Sequence, residues 1–415
     1  MQILLKNARI FDGNKENKPQ DILIRNGRIE EIGDSITVSS GVEIWESSNL
    51  CVSPGWFDVG VYAADPGFEH REDLTSAAQA AKAGGFSAIA CFPNTDPAIH
   101  TKSEVLYVKN QSAALPVHCY PIGAISQDCE GKDLAELFDM HTAGAVAFSD
   151  GKRAVQDAGL LLRALQYAQA FNGLVINVPH HKTIAAGGQM HEGVMSTSLG
   201  LKGLPALAEE LMVQRDLSLL EYSEGRLHIH LVSTAKSVAL IRAAKKSGLS
   251  VTASVAVVNL CFTDEKLAEF DSNWKVVPPL RSQLDTEALV DGLLDGTIDF
   301  ICSNHTPWHE EAKNLEFPYA EFGMIGLETS FALCRSFLSK KLKVNDLVEK
   351  MSLAPRRILG LPIPKISPGE LAELTVFDPD AAWVLEEKNI RSKSRNTPFV
   401  GQSLKGKVLG VISGK

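Results

Sequence analysis

The sequence predicts an α/β protein that combines a (β/α)8 TIM-like barrel with a small β-sandwich formed by the two ends of the chain. In the middle of the chain, eight apolar runs alternate with amphipathic helical stretches, a pattern typical of a barrel of ~250 residues. Both ends instead carry short strand patterns without helices. The 415 residues are enough for one large domain and a smaller one.

The N-terminal segment, residues 1–52, contains a short strand pattern at residues 3–5, followed by two more, Asp21–Arg25 and Arg28–Ile32. Asn26 and Gly27 lie between them, and this dipeptide is the strongest short signal for a β-hairpin. The last residues, 358–415, have the same strand-rich character. We therefore expect residues 1–52 and 358–415 to form one small β-sandwich domain.

The middle segment, residues 53–357, is predicted to form the barrel. Its eight expected strands are residues 56–62, 87–92, 117–122, 145–148, 174–178, 226–232, 250–255 and 299–303. Helices are expected between them at residues 72–83, 159–171, 205–221, 235–246 and 286–294. In such barrels the chemistry lies at the carboxyl ends of the strands, so candidate site residues are sought there.

Composition excludes several classes of protein. With 41 Lys and Arg against 50 Asp and Glu, the net charge is −9, which argues against a nucleic-acid partner. The basic pair Lys152-Arg153 is interpreted as solvated surface. No signal peptide or membrane span is evident, and seven cysteines without a C-x-x-C pair are typical of reduced thiols. We therefore expect a cytoplasmic protein without a membrane partner.

Six motifs, in their order and spacing, identify a family resemblance. They are Pro54–Asp58, Phe92–Pro97, Gly187–Gly193, Lys275–Arg281, Gly326–Thr329 and Ser392–Ser394. Together they resemble dihydroorotase of the amidohydrolase superfamily, in the class associated with aspartate transcarbamoylase. The resemblance covers nearly the whole chain. It implies a barrel of the metal-dependent hydrolase type, which opens and closes the dihydroorotate ring in pyrimidine biosynthesis with one or two zinc ions at its mouth.

The first barrel strand has lost the residues that this chemistry needs. Hydrolysis of a cyclic amide calls for a metal that lowers the pKa of bound water to about 7, and for a carboxylate that moves its proton. The resembled enzymes carry Asp-x-His-x-His-x-Arg-x-Pro-Gly on this strand. Here the motif begins at Asp58, and Gly60 and Tyr62 replace the two histidines. Ala64 replaces the arginine that contacts the substrate carboxylate.

Four further positions of the family pattern have changed. Val178 and Leu231 stand where histidine ligands end the fifth and sixth strands. Asn304 replaces the catalytic aspartate, and Trp308 replaces a histidine that contacts the substrate. Loss of even an outer-shell partner costs about 10–100-fold in metal affinity or activity. The degenerate positions 60, 62, 178, 231 and 304 therefore predict that no metal or other cofactor binds and that catalysis is lost.

Two polar residues of the family pattern remain. Asn94 matches an asparagine that contacts the substrate, although an asparagine after a strand more commonly organises its own loop. Asp150 aligns, with a one-residue gap, with the carboxylate or modified lysine that bridges the metals. It is a possible remnant of the metal site.

The histidines offer one alternative site. His180 and His181 follow the fifth strand and His305 and His309 follow the eighth, so a zinc site of new geometry could form among them. The pair at positions 228 and 230 resembles a His-x-His motif. Strand alternation, counted from position 231, predicts that both face the helices as structural histidines.

Three hypotheses follow. The first is a catalytically inactive dihydroorotase homologue that serves as a structural or regulatory partner of aspartate transcarbamoylase, or that self-associates. The second is an active amidohydrolase, a dihydroorotase or related cyclic amide hydrolase, with an atypical zinc site built from Asp150 and the mouth histidines. The third is a binding protein that keeps a pocket for a pyrimidine-like ligand.

Overall fold

The computed structural model describes residues 2–13 and 18–414. The β-strands, in chain order, are β1 (Gln2–Ile10), β2 (Gln20–Arg25), β3 (Arg28–Gly33), β4 (Glu43–Trp45), β5 (Cys51–Pro54), β6 (Trp56–Val61), β7 (Phe86–Cys91), β8 (His118–Pro121), β9 (Val175–Asn177), β10 (Met190–His191), β11 (Gly203–Leu204), β12 (Leu227–Ile229), β13 (Val251–Ala256), β14 (Phe300–Cys302), β15 (Glu373–Val384) and β16 (Ser403–Ser413).

The α-helices are α1 (Leu74–Ala83), α2 (Lys102–Ser112), α3 (Leu137–Ala143), α4 (Ala158–Gln169), α5 (Val194–Leu199), α6 (Leu207–Ser223), α7 (Ala235–Lys246), α8 (Val257–Cys261), α9 (Gln283–Leu294), α10 (Glu310–Lys313), α11 (Ser330–Phe337), α12 (Val344–Val348) and α13 (Ala354–Ile358). Single turns of 3-10 helix lie at Gln127–Cys129, Asp264–Leu267, Ser272–Trp274 and Glu387–Asn389, and a π-helical turn lies at Glu349–Leu353.

The predicted (β/α)8 barrel is confirmed. Strands β6, β7 and β8 pair in parallel, as do β9, β12, β13 and β14. Between the two groups, Phe148 bridges Gly123 on one side and Val175 on the other, at the end of the expected fourth strand. A hydrogen bond of 3.2 Å from Tyr62 N to His305 O joins the first strand to the segment after the eighth.

The sequence explains why these segments form barrel strands. Every residue of β6, β7, β9, β12 and β14 is buried. Barrel strands are covered by side chains on the inside and by helices on the outside, so their sequences are continuous apolar runs. These apolar runs are the pattern from which the strands were predicted. Helix α4 shows the complementary arrangement: Asp157 caps its first turn by accepting from Leu160 N at 2.6 Å, and its buried side chains recur at helical spacing.

The chain ends form a second sheet in the order β16-β15-β5-β1-β2-β3, with β4 paired to β1. Buried side chains from both halves of this sheet, among them Ile22, Val52 and Leu374, form one apolar cluster. The predicted boundary at residue 52 falls inside β5, which continues to Pro54. The other predicted boundary, residue 358, is the last residue of α13.

The predicted hairpin is confirmed. β2 and β3 pair antiparallel, with Arg25 opposite Arg28. Asn26 and Gly27 between them both have positive φ, at 49° and 74°. A two-residue turn of this hand matches the twist of the flanking strands, and glycine adopts it at little cost.

An ion pair between a buried guanidinium and a partly exposed carboxylate connects the barrel to the terminal sheet. The Arg356 guanidinium is paired with the carboxylate of Glu373 in β15. The same guanidinium donates to Ser87 Oγ at 3.0 Å and to Gly55 O at 3.3 Å, both at the bottom of the barrel. One side chain therefore joins both parts of the protein.

In the described ranges, no helix has both the length and the apolar character needed to cross a membrane.

Candidate functional site

The degenerate positions lie at or beyond the carboxyl ends of the barrel strands, where the fold places functional groups. Gly60 is in β6 and Tyr62 follows it, whereas Val178, Leu231 and Asn304 follow β9, β12 and β14. What occupies the space around each position decides what this end of the barrel can do.

Gly60 leaves no room for a side chain. Its φ is +88°, and a Cβ at this position would lie 2.5 Å from His230 Nε2 and 2.7 Å from Phe92 Cε2. The imidazole and the phenyl ring therefore fill the space that a ligand side chain would need. Tyr62 packs on the same Phe92 ring, with the ring centroids 5.2 Å apart. Desolvation raises the pKa of Tyr62 well above its usual value, so its phenol stays protonated and is a poor metal ligand.

Val178 and Leu231 are buried and apolar. With Glu209 and Arg281 they line a residual space of about 10 Å³, which is no larger than one water molecule needs. The Arg281 guanidinium donates to Leu204 O at 2.9 Å and to Ser233 Oγ at 3.1 Å. The Arg281 side chain beside Val178 and Leu231 is thus hydrogen-bonded to the protein itself.

The side chain of Asn304 is also hydrogen-bonded to the protein backbone. Its backbone has φ of +53°, and its side-chain Nδ2 donates to Val277 O at 3.1 Å. An amide cannot accept a proton from bound water as a carboxylate does. Trp308, the second replaced position after β14, donates from Nε1 to Phe322 O at 2.9 Å.

The carboxylate of Asp150 is hydrogen-bonded to a neighbouring loop. Its Oδ1 accepts from Ile125 N and from Ser126 N, both at 2.9 Å, and its Oδ2 accepts from Ser126 Oγ at 2.5 Å. Burial raises the pKa of this carboxyl, while the hydrogen bonds from Ser126 and Ile125 lower it. Asp150 therefore holds the loop after β8 in place.

Asn94 organises the loop after the fourth strand. Its Nδ2 donates to Asp150 O at 2.9 Å, and its Oδ1 accepts from Lys152 N at 3.1 Å. These two bonds are the loop role that asparagine commonly plays after a strand. Asn94 also lines a cavity at the barrel mouth, together with Ala64.

The orientation expected for His228 and His230 is wrong. Ser254 Oγ, on β13, lies 3.0 Å from His228 Nε2 and 2.9 Å from His230 Nδ1, and the His230 ring faces Phe92 and Gly60 inside the barrel. Strand alternation fails because β12 ends at residue 229 and residue 231 has a positive φ of 60°. Burial lowers the pKa of His230 to about 3, so this imidazole is neutral.

The four mouth histidines do not assemble a site. His305 is buried, with Nε2 3.3 Å from Glu72 Oε2 and Nδ1 3.3 Å from Gly326 N. His309 contacts the ring of His70 instead. Across residues 2–13 and 18–414, no three side chains of His, Cys, Asp or Glu are grouped so that they could hold a metal ion. The described residues do not fit zinc.

The barrel mouth instead holds a cavity of about 220 Å³ with cationic and aromatic walls. The Arg71 guanidinium carbon lies 4.5 Å from the centre of the Trp308 ring. The Lys152 ammonium lies 4.2 Å from the centre of the Tyr62 ring and 5.2 Å from that of Trp308. Arg153 also lines the cavity. Lys152 and Arg153 are exposed, as the sequence predicted, and they also line this cavity.

The cavity changes the ionisation of Lys152. Although the residue as a whole is exposed, its ammonium group lies among the rings. Desolvation of this group and, next, the nearby charge of Arg71 lower the pKa of Lys152 to about 7. The sequence did not reveal this cluster of two cations and an aromatic ring. Arg71, Lys152 and Trp308 come from three separate loops, so no motif or regular spacing links them.

The barrel, the sheet of both chain ends and the location of the cavity define a protein with the amidohydrolase fold. L-Hydantoinase (dihydropyrimidinase) from Arthrobacter aurescens is structurally similar, with a TM-score of 0.86 and 25% identity over 99% of this chain and 94% of that chain. A D-hydantoinase has a TM-score of 0.83 at 21% identity, which supports the fold alone.

Sequence comparison identifies the family within this class. The family model described as "Dihydro-orotase-like" matches residues 50–237. The dihydroorotase of Pelotomaculum thermopropionicum is 44% identical over 419 residues, covering 100% of this chain and 97% of that protein. The dihydroorotase of Syntrophus aciditrophicus is 41% identical over 413 residues, covering 99% and 97%. The chain belongs to the dihydroorotase family.

Proposed function

We propose that this chain is a non-catalytic member of the dihydroorotase family in pyrimidine biosynthesis, and that it acts as a structural or regulatory partner of aspartate transcarbamoylase. The single observation that carries the loss of catalysis is the packing around Gly60. His230 and Phe92 occupy the space into which a ligand side chain from the first strand would project.

The other degenerate positions support the same proposal. Val178 and Leu231 are buried apolar side chains at their positions, and the side-chain amide of Asn304 is hydrogen-bonded to the backbone. Buried polar groups without partners are costly, so a site that loses its metal is most stable when apolar side chains close it. Residues that close a site in this way also prevent a metal from entering.

The partner is proposed from the family resemblance of the sequence. The two-part fold is complete although the family's metal ligands are missing, and a scaffold without chemistry acts through its surfaces. Aspartate transcarbamoylase is the enzyme with which this class of dihydroorotase is associated. Self-association of the chain is the other outcome that the partner experiment distinguishes.

Catalysis is tested with dihydroorotate and zinc. We expect the purified, zinc-supplemented protein to hydrolyse dihydroorotate at the rate of a protein-free blank. The dihydroorotase of Pelotomaculum thermopropionicum, measured under the same conditions, serves as the positive control. A zinc-dependent rate well above the blank would contradict the proposal.

Metal content is tested separately. After expression in zinc-replete medium, we expect less than about one tenth of a zinc equivalent per chain, because the described residues offer too few ligands. A chelator should also leave the unfolding temperature unchanged, since no bound metal stabilises the native state. A stoichiometric metal, or a marked fall in unfolding temperature with chelator, would overturn the non-catalytic assignment.

The partner is tested by size-exclusion chromatography with light scattering. We expect a mixture of this chain and aspartate transcarbamoylase from the same organism to elute as a complex heavier than either protein alone. Two unchanged peaks would remove that partner. A heavier peak from this chain alone would show self-association.

One observation favours a second candidate, an active dihydroorotase or related cyclic amide hydrolase with an atypical metal site. Relatives that are 38–44% identical over nearly the whole chain carry the name dihydroorotase. Against it, the carboxylate of Asp150 is held by the 125–126 backbone, and His305 is paired with Glu72. The zinc and activity measurements separate the two candidates.

A further inference from the structure

We propose that a partner protein with a basic face docks on an acidic surface with exposed apolar side chains beside the barrel mouth. This surface consists of residues 264–275 and 310–323, and we call it the loop-315 surface. The inference rests on the proposed function, because it names the surface through which the partner role would act. The occupant is a different protein and not a second copy of this chain.

Three large apolar side chains of the loop-315 surface are exposed to solvent. The exposed fractions are 72% for Tyr319, 50% for Leu315 and 45% for Phe270. The Phe270 ring lies 6.1 Å from that of the buried Phe317, so the two segments are adjacent. Single exposed apolar residues are ordinary, but tyrosine and phenylalanine on neighbouring segments are typical of the apolar centre of a protein interface. We therefore expect these side chains to anchor the partner.

Two buried lysines fix the loop that carries Leu315 and Tyr319. The Lys275 ammonium donates to the carbonyl oxygens of residues 317, 318 and 320, at 2.7, 3.1 and 2.6 Å. The Lys313 ammonium donates to those of residues 272, 321 and 323, at 2.6, 2.7 and 3.0 Å. Each ammonium thus uses its three donors within the protein. A loop fixed in this way loses little conformational freedom on binding, which favours association.

The loop-315 surface carries much of the negative charge of the chain. Its two segments contain eight acidic residues and three lysines, a net charge of −5 (3 − 8) within the total of −9. Six of the acidic residues are exposed glutamates, at positions 265, 269, 310, 311, 316 and 321. In the described part of the chain, none of the six forms an ion pair. A partner with basic residues around an apolar centre is therefore complementary to this surface.

A cleft of about 640 Å³ at the edge of the surface provides a place for a basic side chain of the partner. Glu310 and Glu387 line this cleft, and neither forms an ion pair within the described ranges. Of the cations in the cleft wall, Lys393 is paired with Asp73, and Arg395 donates to the backbone of its own loop at 3.0 Å. The two carboxylates are therefore available to an arginine or lysine of the partner.

The same charges argue against a second copy of this chain as the occupant. In a symmetric dimer, a surface that meets itself places the six glutamates of one chain opposite those of the other. Like charges that face each other across an interface weaken association. Docking of a different protein avoids this repulsion.

Biolayer interferometry with immobilised aspartate transcarbamoylase from the same organism tests the surface. We expect Tyr319→Ala and Leu315→Ala each to weaken binding at least about tenfold, because truncation of an interface anchor has effects of this size. Glu316→Lys should slow association, and this effect should shrink at high salt. Tyr222→Ala is the matched control, since Tyr222 is 74% exposed near the end of α6, outside the surface. Its affinity should equal that of the unmodified chain.

The outcomes separate the surface from the proposed function. If the unmodified chain and the Tyr319 and Leu315 variants bind equally well, the loop-315 surface is overturned and the partner role stands. A self-associated chain that Tyr319→Ala dissociates in light scattering would identify a second copy as the occupant, and would also overturn the proposal. The unfolding temperature of each variant checks that it folds.

If no complex with aspartate transcarbamoylase forms, that partner is lost and a probe peptide decides on the surface. The probe is N-acetyl-leucyl-arginine amide, compared with N-acetyl-leucyl-glutamine amide by isothermal titration calorimetry. We expect tighter binding of the arginine peptide, and loss of this preference when Glu310→Gln and Glu387→Gln are combined. Equal binding of the two peptides would then overturn the surface as well.

Discussion

Gly60 leaves no room for a larger residue at this end of the barrel. Substitution Gly60→Ala places a Cβ 2.5 Å from His230 Nε2 in a backbone of positive φ. Strain and overpacking add, so we expect a loss of about 2–5 kcal/mol in the free energy of unfolding. Urea denaturation of the variant and the unmodified chain measures the difference.

Gly248 provides the control for this substitution. Its φ of +87° is nearly the same, but a Cβ there meets no atom within 4 Å. Gly248→Ala should therefore cost only the conformational part, about 1–2 kcal/mol. Equal costs at the two glycines would show that His230 and Phe92 do not restrict position 60.

Asp58, two residues before Gly60, makes stability depend on pH. Burial raises the pKa of its carboxyl from 3.8 to about 6, although Ser303 N donates to it at 2.9 Å. The folded state therefore holds this proton more tightly, and the stabilisation is full below pH 3.8 and lost as pH rises through 6. Two pKa units correspond to about 3 kcal/mol.

Asp58→Asn removes this titration. Between pH 3.5 and pH 7, we expect the unfolding free energy of the variant to rise relative to that of the unmodified chain by up to about 3 kcal/mol. Urea denaturation of both proteins at the two pH values measures the change, and any constant cost of the substitution cancels. A difference that is the same at both pH values would rule out the raised pKa.

At the scale of elements, the loop after β8 depends on a side chain from the loop after the fourth strand. Asp150→Ala would leave Ile125 N and Ser126 N without acceptors in a buried site. Unsatisfied buried donors cost about 1–3 kcal/mol each, so we expect a loss of about 2–5 kcal/mol. Hydrogen exchange should show faster exchange of the amides at residues 125 and 126.

Asp157→Ala provides the comparison for this element. Asp157 caps α4 with one hydrogen bond to Leu160 N, and it is exposed. Loss of such a cap costs about 1 kcal/mol, and its effect on exchange should remain in the first turn of α4. Equal costs for the two substitutions would contradict the structural role of Asp150.

The elements themselves could largely be predicted from the sequence. Barrel strands are buried on two faces, and the resulting apolar runs gave their positions to within a few residues. Helix α2 was missed because only three of its eleven residues are buried, which leaves almost no apolar periodicity. The direction of His230 was also missed, since alternation holds only while the backbone stays extended, and residue 231 does not.

The candidate site could be predicted only in part. The family resemblance predicts that Gly60, Tyr62, Val178 and Leu231 stand where the family has ligands, because each ligand has a fixed place in the family pattern. What fills the space around these four positions is not visible in this way. The contacts of Gly60 with His230 depend on a three-dimensional approach between distant strands that no local pattern records.

At the scale of the whole molecule, Arg356 and Glu373 hold the barrel and the terminal sheet together. Glu373→Ala would leave the buried Arg356 guanidinium without its carboxylate, and breaking a buried pair typically costs about 3–5 kcal/mol. We expect a loss of this size in the free energy of unfolding, measured by urea denaturation.

The exposed pair of Arg25 and Glu30 is the control, with an N–O distance of 3.0 Å. Glu30→Ala should change the unfolding free energy by less than about 1 kcal/mol, because solvent screens exposed pairs. If both substitutions cost the same, Arg356 does not join the two parts of the protein in the way described.

The pairing of β5 with β15 has a consequence for the time course of synthesis. β5 ends at Pro54, whereas β15 begins at Glu373, 319 residues later (373 − 54). At about 5–20 residues per second, a ribosome needs roughly 15–65 s to make the intervening chain. During this time the N-terminal strands cannot complete their sheet, and the edge of β5, with the apolar Val52, has no strand of its own chain to cover it. The nascent protein therefore depends on prompt folding of the barrel that lies between β5 and β15 in the sequence. It also depends on synthesis of β15 before another chain pairs with the exposed edge of β5.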